Sequence, residues 1–377
     1  MKENILISFK EMYQMEATDY AESGGRFELL GNHTDHNHGC TLAATCSLTI
    51  EGAFRKNDDN LVRFFSKGNC DFIISLDNTD VIEEEIGKPE CFVRGVADYF
   101  KKHGYQIGGF TAYVESLVPP GAGVSSSAAF EILIGKIFNR LFNSDQIRLL
   151  ELCKAGQYAE NNYFGKKSGL LDQIACACNG VSYIDFENID SPMVEIIHED
   201  FDDYQFVIVD TGKSHAELSD LYSSITSDMW NAAKKMGHNY LRECSPDQLE
   251  VNKDLFTEGE YNRAKHFFDE NERVKKGQNC VKNGDFAGFL QCMRESEASS
   301  RNLLKNAMVN DVYEGSLAEA IDISNQAMDN AGASKINGGG FGGSIICVVP
   351  KTKLDKFLSV MIGKYGRQHV FCVSIFN

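Results

Sequence analysis

Two acidic side chains, Glu160 and Asp172, lie twelve residues apart in the stretch from Ala159 to Gln173. A phosphoryl transferase needs one carboxylate to hold its metal ion and a second to orient the attacking hydroxyl or accept its proton. Leucines before Asp172 and an isoleucine after it indicate partial burial of this acid. Taken singly, either acid is also consistent with an exposed helix residue, so the interpretation depends on what accompanies the pair.

A loop rich in glycine and serine, from Pro119 to Ala128, precedes a predicted helix and has the composition of a phosphate cradle. Gly121 and Gly123 permit positive φ angles and a close backbone approach, while free N–H groups and the helix dipole attract anions. A glycine turn followed by a serine N-cap has a similar sequence and stays an alternative. The loop is not a Walker P-loop: the Gly-Lys-Ser triplet at 212–214 lacks the required earlier glycine, and Val207 stands there instead.

The segment from Gly24 to Gly39 places Arg26 at the start of a predicted strand and a dense set of polar side chains in the following turn. Such density is costly unless water or a ligand satisfies the polar groups. Donors and acceptors such as Asn32, His33 and Asp35 suit the recognition of sugar hydroxyls. A transition-metal site is disfavoured because the histidines have no helical i, i+4 register, and a solvated polar turn stays an alternative.

A second glycine-rich segment, from Gly332 to Gly343, contains six glycines in twelve residues and leads directly into an apolar strand. We call it the glycine loop. A flexible linker would not carry apolar anchors such as Ile336 and Phe341, nor continue at once into a core strand. We therefore expect an ordered loop with a functional role.

The elements that must position these residues follow from the hydrophobic pattern. Short β-branched or aromatic runs bounded by Gly, Asn and Asp predict strands, and apolar residues at helical spacing predict helices. Both types alternate in both halves, which is typical of an α/β or α+β protein. An acidic connector at 198–203 predicts two domains, residues 1–200 and 201–377. We predict strands at 26–30, 41–53, 61–65, 110–116, 181–186, 206–210, 344–349 and 369–375, and helices at 125–141, 145–164, over most of 211–331 and at 354–365.

Composition and charge narrow the classes of protein. The chain has 377 residues, 43% hydrophobic and 24% charged, which is typical of a globular protein and disfavours extensive disorder. A net charge of −17 disfavours nucleic-acid and membrane partners. No apolar run reaches membrane-spanning length and no signal peptide is recognisable, so we expect a cytoplasmic protein. No HRD triplet occurs, which excludes the protein-kinase fold.

These segments occur in the order found in the GHMP kinase superfamily, and in detail the sequence resembles the galactokinases. The segment 24–39 resembles their sugar-recognition signature, 119–128 their ATP-phosphate loop and 332–343 their C-terminal glycine loop. The resemblance implies an α+β, two-domain GHMP kinase fold, with a ribosomal S5 domain 2-like N-terminal domain and a ferredoxin-like C-terminal domain. It also implies phosphoryl transfer from ATP to the anomeric C1 hydroxyl of galactose or a close galacto-configured sugar.

The resemblance further implies individual roles. Asp172 matches the catalytic base, and Arg26 matches the arginine that keeps this base ionised and stabilises developing charge. Ser127 and Glu160 match the ligands of Mg²⁺. Contacts with the sugar are implied for Arg26, Asn32, His33, Asp35, Asp172 and Tyr222, and the triphosphate cradle is implied for Gly121, Ala122, Gly123, Val124, Ser125, Ser126 and Ser127.

One departure from the family pattern concerns specificity. Galactokinases carry Gly-Glu-His-Thr-Asp-Tyr where residues 31–36 read Gly-Asn-His-Thr-Asp-His, so the glutamate expected to bind the sugar 6-hydroxyl is replaced by Asn32. A neutral Asn32 near His33, His36 and His38 would not repel a C6 carboxylate. This makes a galacturonate 1-kinase an alternative to a galactokinase.

Two further alternatives stay open at this point. Some relatives of galactokinases are regulators that bind sugar and ATP without catalysis, but Asp172, Arg26 and Glu160 are all present here. A mevalonate- or homoserine-type kinase is disfavoured by the histidine-rich segment at 31–38. We expect a sugar and Mg-ATP as the partners, and a monomer or weak homo-oligomer.

Overall fold

Eleven strands and eleven α-helices are found in the computed structural model, which describes residues 2–212 and 219–376. The strands are β1 (Asp19–Leu30), β2 (Cys40–Lys56), β3 (Leu61–Ser66), β4 (Cys70–Ser75), β5 (Phe110–Ser116), β6 (Val181–Asp185), β7 (Met193–Ile197), β8 (Tyr204–Asp210), β9 (Ala333–Asn337), β10 (Ser344–Pro350) and β11 (Val370–Val373). The helices are α1 (Lys2–Tyr13), α2 (Pro89–Lys102), α3 (Ser126–Asn143), α4 (Leu149–Ala159), α5 (Leu171–Ala177), α6 (Ser219–Lys235), α7 (Pro246–Val251), α8 (Glu258–Lys282), α9 (Phe286–Ser299), α10 (Leu317–Ala327) and α11 (Leu354–Tyr365).

Short helical turns of two kinds complete the described elements. Two π-helical turns, Glu160–Phe164 and Ser300–Leu304, directly continue α4 and α9. A π turn holds one residue more than the α-helical ladder requires, and such turns are frequent at functional sites. The 3₁₀ turns lie at Asp35–Asn37, Glu83–Glu85, Leu241–Glu243, Lys253–Leu255, Lys351–Lys353 and Arg367–His369.

The chain divides into two compact units. Unit 1 comprises Met1–Arg26, Thr45–Pro120 and Ser125–Asn179, and unit 2 comprises Phe27–Ala44, Gly121–Val124 and Gly180–Asn377. The early segment 27–44 belongs to unit 2 because residues 40–44 of β2 pair there with β6. The division into domains 1–200 and 201–377 stays a prediction. That division assigns residues 27–44 and 121–124 to the first domain, whereas the compact units assign them to unit 2.

Unit 1 is built on a sheet in which residues 50–56 of β2 pair antiparallel with β5, β5 pairs parallel with β3, and β3 forms a hairpin with β4. The parallel pair needs a crossover, and α2 supplies it between β4 and β5. Helix α1 packs Ile5 and Phe9 against Ala53 and Tyr113 of the sheet. Helices α3, α4 and α5 pack against one another and carry the polar residues described below.

Unit 2 contains two groups of paired strands. Residues 40–44 of β2 pair antiparallel with β6, which pairs with β7. A separate antiparallel sheet has the order β11-β8-β10-β9. Helices α10 and α11 cover this sheet with a buried core that includes Ile321, Ile345, Phe357 and Met361. Helices α6 and α8 share a second core around Ile225, with Phe267 at its centre.

The predicted α+β class is confirmed. The eight predicted strands correspond to β1, β2, β3, β5, β6, β8, β10 and β11, with shifted ends. The prediction of the glycine loop was wrong in one respect, because its first residues form β9, paired with β10. The sequence reading also missed α1, α2, α5, β4 and β7. None of the helices described is both long and apolar enough to span a membrane.

Candidate active site

The carboxylate of Asp172 is held on both oxygens within unit 1. Asp172 lies in the first turn of α5, and the Nε–H of Arg26, a buried residue of β1, donates to its Oδ1 at 2.8 Å. The hydroxyl of Ser125 donates to its Oδ2 at 2.6 Å. About 29% of the Asp172 side chain stays exposed. The carboxylate therefore has a fixed orientation and a face open to a small molecule.

Charge and hydrogen bonding keep Asp172 ionised. Burial is the largest influence on its pKa and acts to raise it, but the positive charges of Arg26 and Lys166 and the hydrogen bond from Ser125 lower the pKa below its ordinary value. A carboxylate with a lowered pKa is a weak base at neutral pH, and it orients a hydroxyl well. This arrangement can hold the hydroxyl of a nucleophile and accept its proton as charge develops.

The carboxylate of Glu160 lies in the π turn after α4 and is almost completely buried. Its Oε1 accepts hydrogen bonds from Ser127 Oγ at 3.3 Å and Lys166 Nζ at 2.8 Å. Its Oε2 accepts from Ser168 Oγ at 2.5 Å and Gln173 Nε2 at 3.1 Å. Four donors surround the two carboxylate oxygens, so the side chain of Glu160 is held in a fixed position.

The oxygens of Ser127 and Glu160 fit a magnesium ion. Mg²⁺ prefers hard oxygen ligands, uses one or two protein groups, and takes the rest from phosphate and water. The Ser127 hydroxyl and the Glu160 carboxylate are such ligands, and at 3.3 Å they are close enough to share one ion. A dedicated cluster of three or more His, Cys, Asp or Glu side chains is not found within residues 2–212 and 219–376.

A further acid, Glu131, shares the donor Gln173 with Glu160, and the sequence reading missed it. It is completely buried on α3, where Gln173 Nε2 donates to its Oε2 at 2.9 Å. Burial, and then the charge of Glu160, raise the pKa of Glu131 well above the ordinary value, which favours its protonated form. The available signal was a glutamate between Phe130 and Ile132 on the apolar face of α3.

The predicted phosphate loop has the backbone that its glycines require. Gly121, Gly123 and Ser125 have φ angles of 80°, 70° and 56°, all in the left-handed region. Within unit 2, Asn337 Nδ2 donates to the carbonyl of Gly123 at 3.0 Å, and a β-carbon at Gly123 would meet the hydroxyl of Ser344. Ser125 precedes α3 but its side chain does not cap the helix. The simple serine N-cap alternative is therefore wrong, because this hydroxyl binds Asp172 instead.

The side chain of Asn32 is saturated by unit 2 itself. Its Nδ2 donates to Gly338 O at 2.6 Å and to Glu28 Oε1 at 3.2 Å. Its Oδ1 accepts from Asn306 Nδ2 at 2.9 Å and Ser300 Oγ at 3.3 Å. An amide side chain has two donor hydrogens and two acceptor lone pairs, so all four positions are in use. Asn32 is 1% exposed.

Two of the remaining predicted sugar contacts of unit 2, His33 and Tyr222, lie close to the glycine loop. His33 is buried, and its Nε2 is 2.8 Å from the carbonyl of Gly339. The rings of His33 and Tyr222 are 4.8 Å apart, and a β-carbon at Gly339 would collide with the Tyr222 ring. Asp35 is half-buried at the start of the 3₁₀ turn Asp35–Asn37.

The structure thus brings the predicted residues together in two sets. Unit 1 gathers Arg26, Asp172 and Glu160 with the serines at 125–127. Unit 2 gathers Asn32, His33 and Tyr222 with the glycine loop. Lys166 and Gln173 are additional members of the first set that the sequence reading did not single out.

Comparison with known proteins identifies the family. Residues 91–180 match the GHMP kinases N terminal domain, residues 278–368 match the GHMP kinases C terminal domain, and residues 7–56 match the galactokinase galactose-binding signature. The fold is that of a kinase of the GHMP class, which uses ATP as its co-substrate. Galactokinase of Lactobacillus helveticus is 32% identical, covering 98% of this chain and 95% of its own length. This chain belongs to the galactokinase family.

Solved structures agree with this assignment. The crystal structure of Lactococcus lactis galactokinase complexed with galactose is 26% identical, with a TM-score of 0.85 over 100% of this chain and 98% of its own. A crystal structure of mevalonate kinase, at 16% identity and a TM-score of 0.67, covers 96% of this chain and 100% of its own and shares the fold. The predicted superfamily and the prediction of a sugar kinase are confirmed.

Proposed function

We propose that this chain transfers the γ-phosphoryl group of ATP to the C1 hydroxyl of galactose. The observation that carries the proposal is Asp172, an ionised and partly exposed carboxylate held by Arg26 and Ser125. The galactose-binding signature at residues 7–56 and the galactose-bound relative from Lactococcus lactis support the choice of sugar. A non-catalytic regulator is not favoured, since the residues for catalysis are present and correctly paired.

In this mechanism Asp172 orients the C1 hydroxyl and receives its proton as the bond to phosphorus forms. Arg26 keeps Asp172 ionised through a 2.8 Å hydrogen bond, and it adds positive charge where negative charge develops. Because the pKa of Asp172 is lowered, positioning contributes more than basicity. In a loose transition state the proton moves late, which suits such a weak base.

The segment 121–127 is proposed as the triphosphate cradle. Its left-handed residues turn the backbone before α3, and the first amides of this helix carry partial positive charge for phosphate oxygens. Ser127 and Glu160 would hold Mg²⁺, which neutralises charge on the phosphates when bound. Gln173 donates a hydrogen bond to Glu160 and another to Glu131, and the raised pKa of Glu131 disfavours a second negative charge there.

The saturation of Asn32 bears on the choice between galactose and galacturonate. The galacturonate alternative assumed that Asn32 lies beside the C6 group of the sugar, where its neutral amide would not repel a carboxylate. All four hydrogen-bonding positions of its side chain are instead used inside unit 2. The galacturonate alternative is therefore not favoured, and we propose Asp35 and Tyr222 as the polar side chains of unit 2 that contact the sugar.

The test is release of ADP from Mg-ATP with galactose, galacturonate, N-acetylgalactosamine, arabinose and glucose at equal concentrations. Galactose should give the highest kcat/KM. Asp172→Asn should lower kcat by about three orders of magnitude and leave the KM for ATP nearly unchanged. Asp59→Asn is the matched control, since Asp59 is an exposed acid of unit 1 that also pairs with an arginine, Arg63. Near-normal turnover by Asp172→Asn contradicts the proposal.

Other properties of the protein stay predictions. Sugar and ATP are the partners that the family implies, whereas the monomeric or weakly oligomeric state is an expectation. The cytoplasmic location and the lack of nucleic-acid or membrane partners are also expectations, and they rest on charge and sequence pattern.

A further inference from the structure

A row of hydrogen bonds in unit 2, which we call the hydrogen-bond chain, connects a backbone amide to the glycine loop. It passes through the side chains of Asn37, His36 and His33. The backbone N–H of Leu241 lies 3.1 Å from Asn37 Oδ1. Asn37 Nδ2 lies 2.9 Å from His36 Nδ1, and His36 Nε2 lies 3.3 Å from His33 Nδ1. His33 Nε2 then lies 2.8 Å from the carbonyl oxygen of Gly339.

The groups at the two ends of the hydrogen-bond chain fix the direction of every hydrogen bond in it. Gly339 O can only accept, so His33 carries its hydrogen on Nε2 and its Nδ1 is an acceptor. His36 must then donate from Nε2 and accept at Nδ1. From the other end, the Leu241 N–H can only donate, which turns Asn37 Oδ1 toward it and Asn37 Nδ2 toward His36. The two derivations agree at His36.

The surroundings keep the imidazoles of His33 and His36 neutral, as the hydrogen-bond chain requires. A second hydrogen on His33 Nδ1 would face the N–H of His36, and the contact would become repulsive. The pKa of His33 is lowered to about 4, mainly by burial and to a smaller extent by His266 and Arg263, while the hydrogen bond to the carbonyl of Gly339 acts to raise it. The pKa of His36 is also far below its ordinary value, through burial and its two histidine neighbours.

The hydrogen-bond chain ends at Gly339 of the glycine loop, which contacts Tyr222, a predicted sugar-binding side chain. Gly339 O accepts both from His33 and from Asn306 Nδ2, at 2.8 and 3.1 Å, so the orientation of this peptide is fixed. Tyr222 lies against Gly339 and against the ring of His33. Any rotation of His33 would therefore move both the Gly339 peptide and the surface on which Tyr222 packs.

We propose that His36 and Asn37 are positioning residues, which hold His33 in its Nε2–H form and thereby fix Gly339 and Tyr222 for sugar binding. Neither residue belongs to the set implied by the family resemblance, and His36 stands where galactokinases carry tyrosine. The sugar-binding consequence rests on the proposed function. The hydrogen-bonding pattern itself does not.

The pattern can be measured in the wild-type protein by NMR with ¹⁵N-labelled histidine. His33 and His36 should both show a protonated Nε2 and an unprotonated Nδ1 at pH 7, and both should stay neutral at pH 5.5. The chain has nine histidines, and the signals that vanish in His33→Gln and His36→Gln assign these two. A hydrogen on Nδ1 of His33, or a charged His33 at pH 7, overturns the proposal whatever the enzyme phosphorylates.

Kinetics test the consequence for the sugar. His36→Phe removes both hydrogen bonds of the ring and should raise the KM for galactose about tenfold, with the KM for ATP within about twofold of wild type. His36→Gln keeps an N–H group for His33 and should restore most of the affinity. His198→Gln, at an exposed histidine of unit 2, is the matched control. Equal sugar KM values for His36→Phe and wild type overturn the positioning role. Lack of turnover by wild type refutes the proposed function and leaves the NMR result to decide the hydrogen-bonding pattern.

Discussion

Acidification should destabilise the protein through His33, and the size of the effect follows from its pKa. The pKa of His33 is about 4 in the folded chain, mainly because the ring is buried, against an ordinary value near 6.5. A group with a lowered folded pKa contributes stability above its unfolded pKa, and this contribution is lost as the pH falls toward the folded value. Between pH 7.5 and 5 the unfolded chain binds a proton that folded His33 does not. The linkage relation gives a loss of about 2 kcal/mol over this range, and about 3 kcal/mol at pH 4.

The assay is urea unfolding followed by the fluorescence of Trp230, the single tryptophan. Trp230 belongs to unit 2, and its indole N–H donates to the carbonyl of His36 at 3.2 Å, so its emission reports on the region concerned. Wild type, His33→Gln and the exposed control His198→Gln are each unfolded at pH 7.5 and pH 5. The double difference between wild type and His33→Gln reports the proton-linked contribution of His33 together with its coupling to His36 and His266, because titrating groups distant from His33 cancel.

We expect wild type to lose about 2 kcal/mol more than His33→Gln over this pH range, and His198→Gln to behave as wild type. A double difference below about 0.5 kcal/mol would refute the reasoning, since it would mean that His33 is protonated as readily in the folded as in the unfolded chain. In that case burial could not be the cause that keeps the His33 ring neutral.

Three other substitutions test separate parts of the structure. Glu160→Gln removes the negative charge proposed for Mg²⁺ binding and should raise the Mg²⁺ concentration for half-maximal activity at least tenfold; an unchanged Mg²⁺ titration curve contradicts this assignment. Gly339→Ala places a β-carbon against the ring of Tyr222 and should raise the sugar KM with little change in the KM for ATP, and steady-state kinetics that show equal changes in both argue against it. Lys335→Met leaves Glu28, its partner at 3.1 Å, buried without a counter-charge, and should lower the free energy of unfolding by about 3 to 5 kcal/mol. The double variant with Glu28→Gln should recover much of this loss in urea unfolding, and a single variant as stable as wild type would show that the pair does not matter.

The catalytic set of unit 1 was accessible from sequence for a physical reason. Phosphate binding before a helix needs glycines and small hydroxyl residues in a short contiguous stretch, so the loop at 121–127 is visible in the sequence. The roles expected for Arg26, Glu160 and Asp172 were implied by the family resemblance, and the structure brings Arg26 and Asp172 to 2.8 Å. The long strands and amphipathic helices were predictable in the same way, from local periodicity.

The features that could not be predicted depend on residues that are distant in the chain. Asn32 was expected to contact the sugar, but its amide is satisfied by Ser300 and Asn306, which are 268 and 274 positions away. No local pattern records such partners. Glu131 was missed because the sequence around a single acid on an apolar helix face does not show whether a partner such as Gln173 lies next to it in the core. Short elements such as α1 and β4 were missed because their apolar pattern is weak.

The two π turns carry a consequence for insertions and deletions. Each turn, at 160–164 and at 300–304, is an α-helix with one additional residue, and each presents a side chain that is held by its neighbours. Glu160 meets Ser127 from the first turn, and Ser300 meets Asn32 from the second. Loss of one residue from either turn would restore a regular helix and rotate the next residues of the chain by about 100° about the helix axis. Deletion of one residue from either turn should therefore disturb the site as strongly as a change of the side chain that the turn presents.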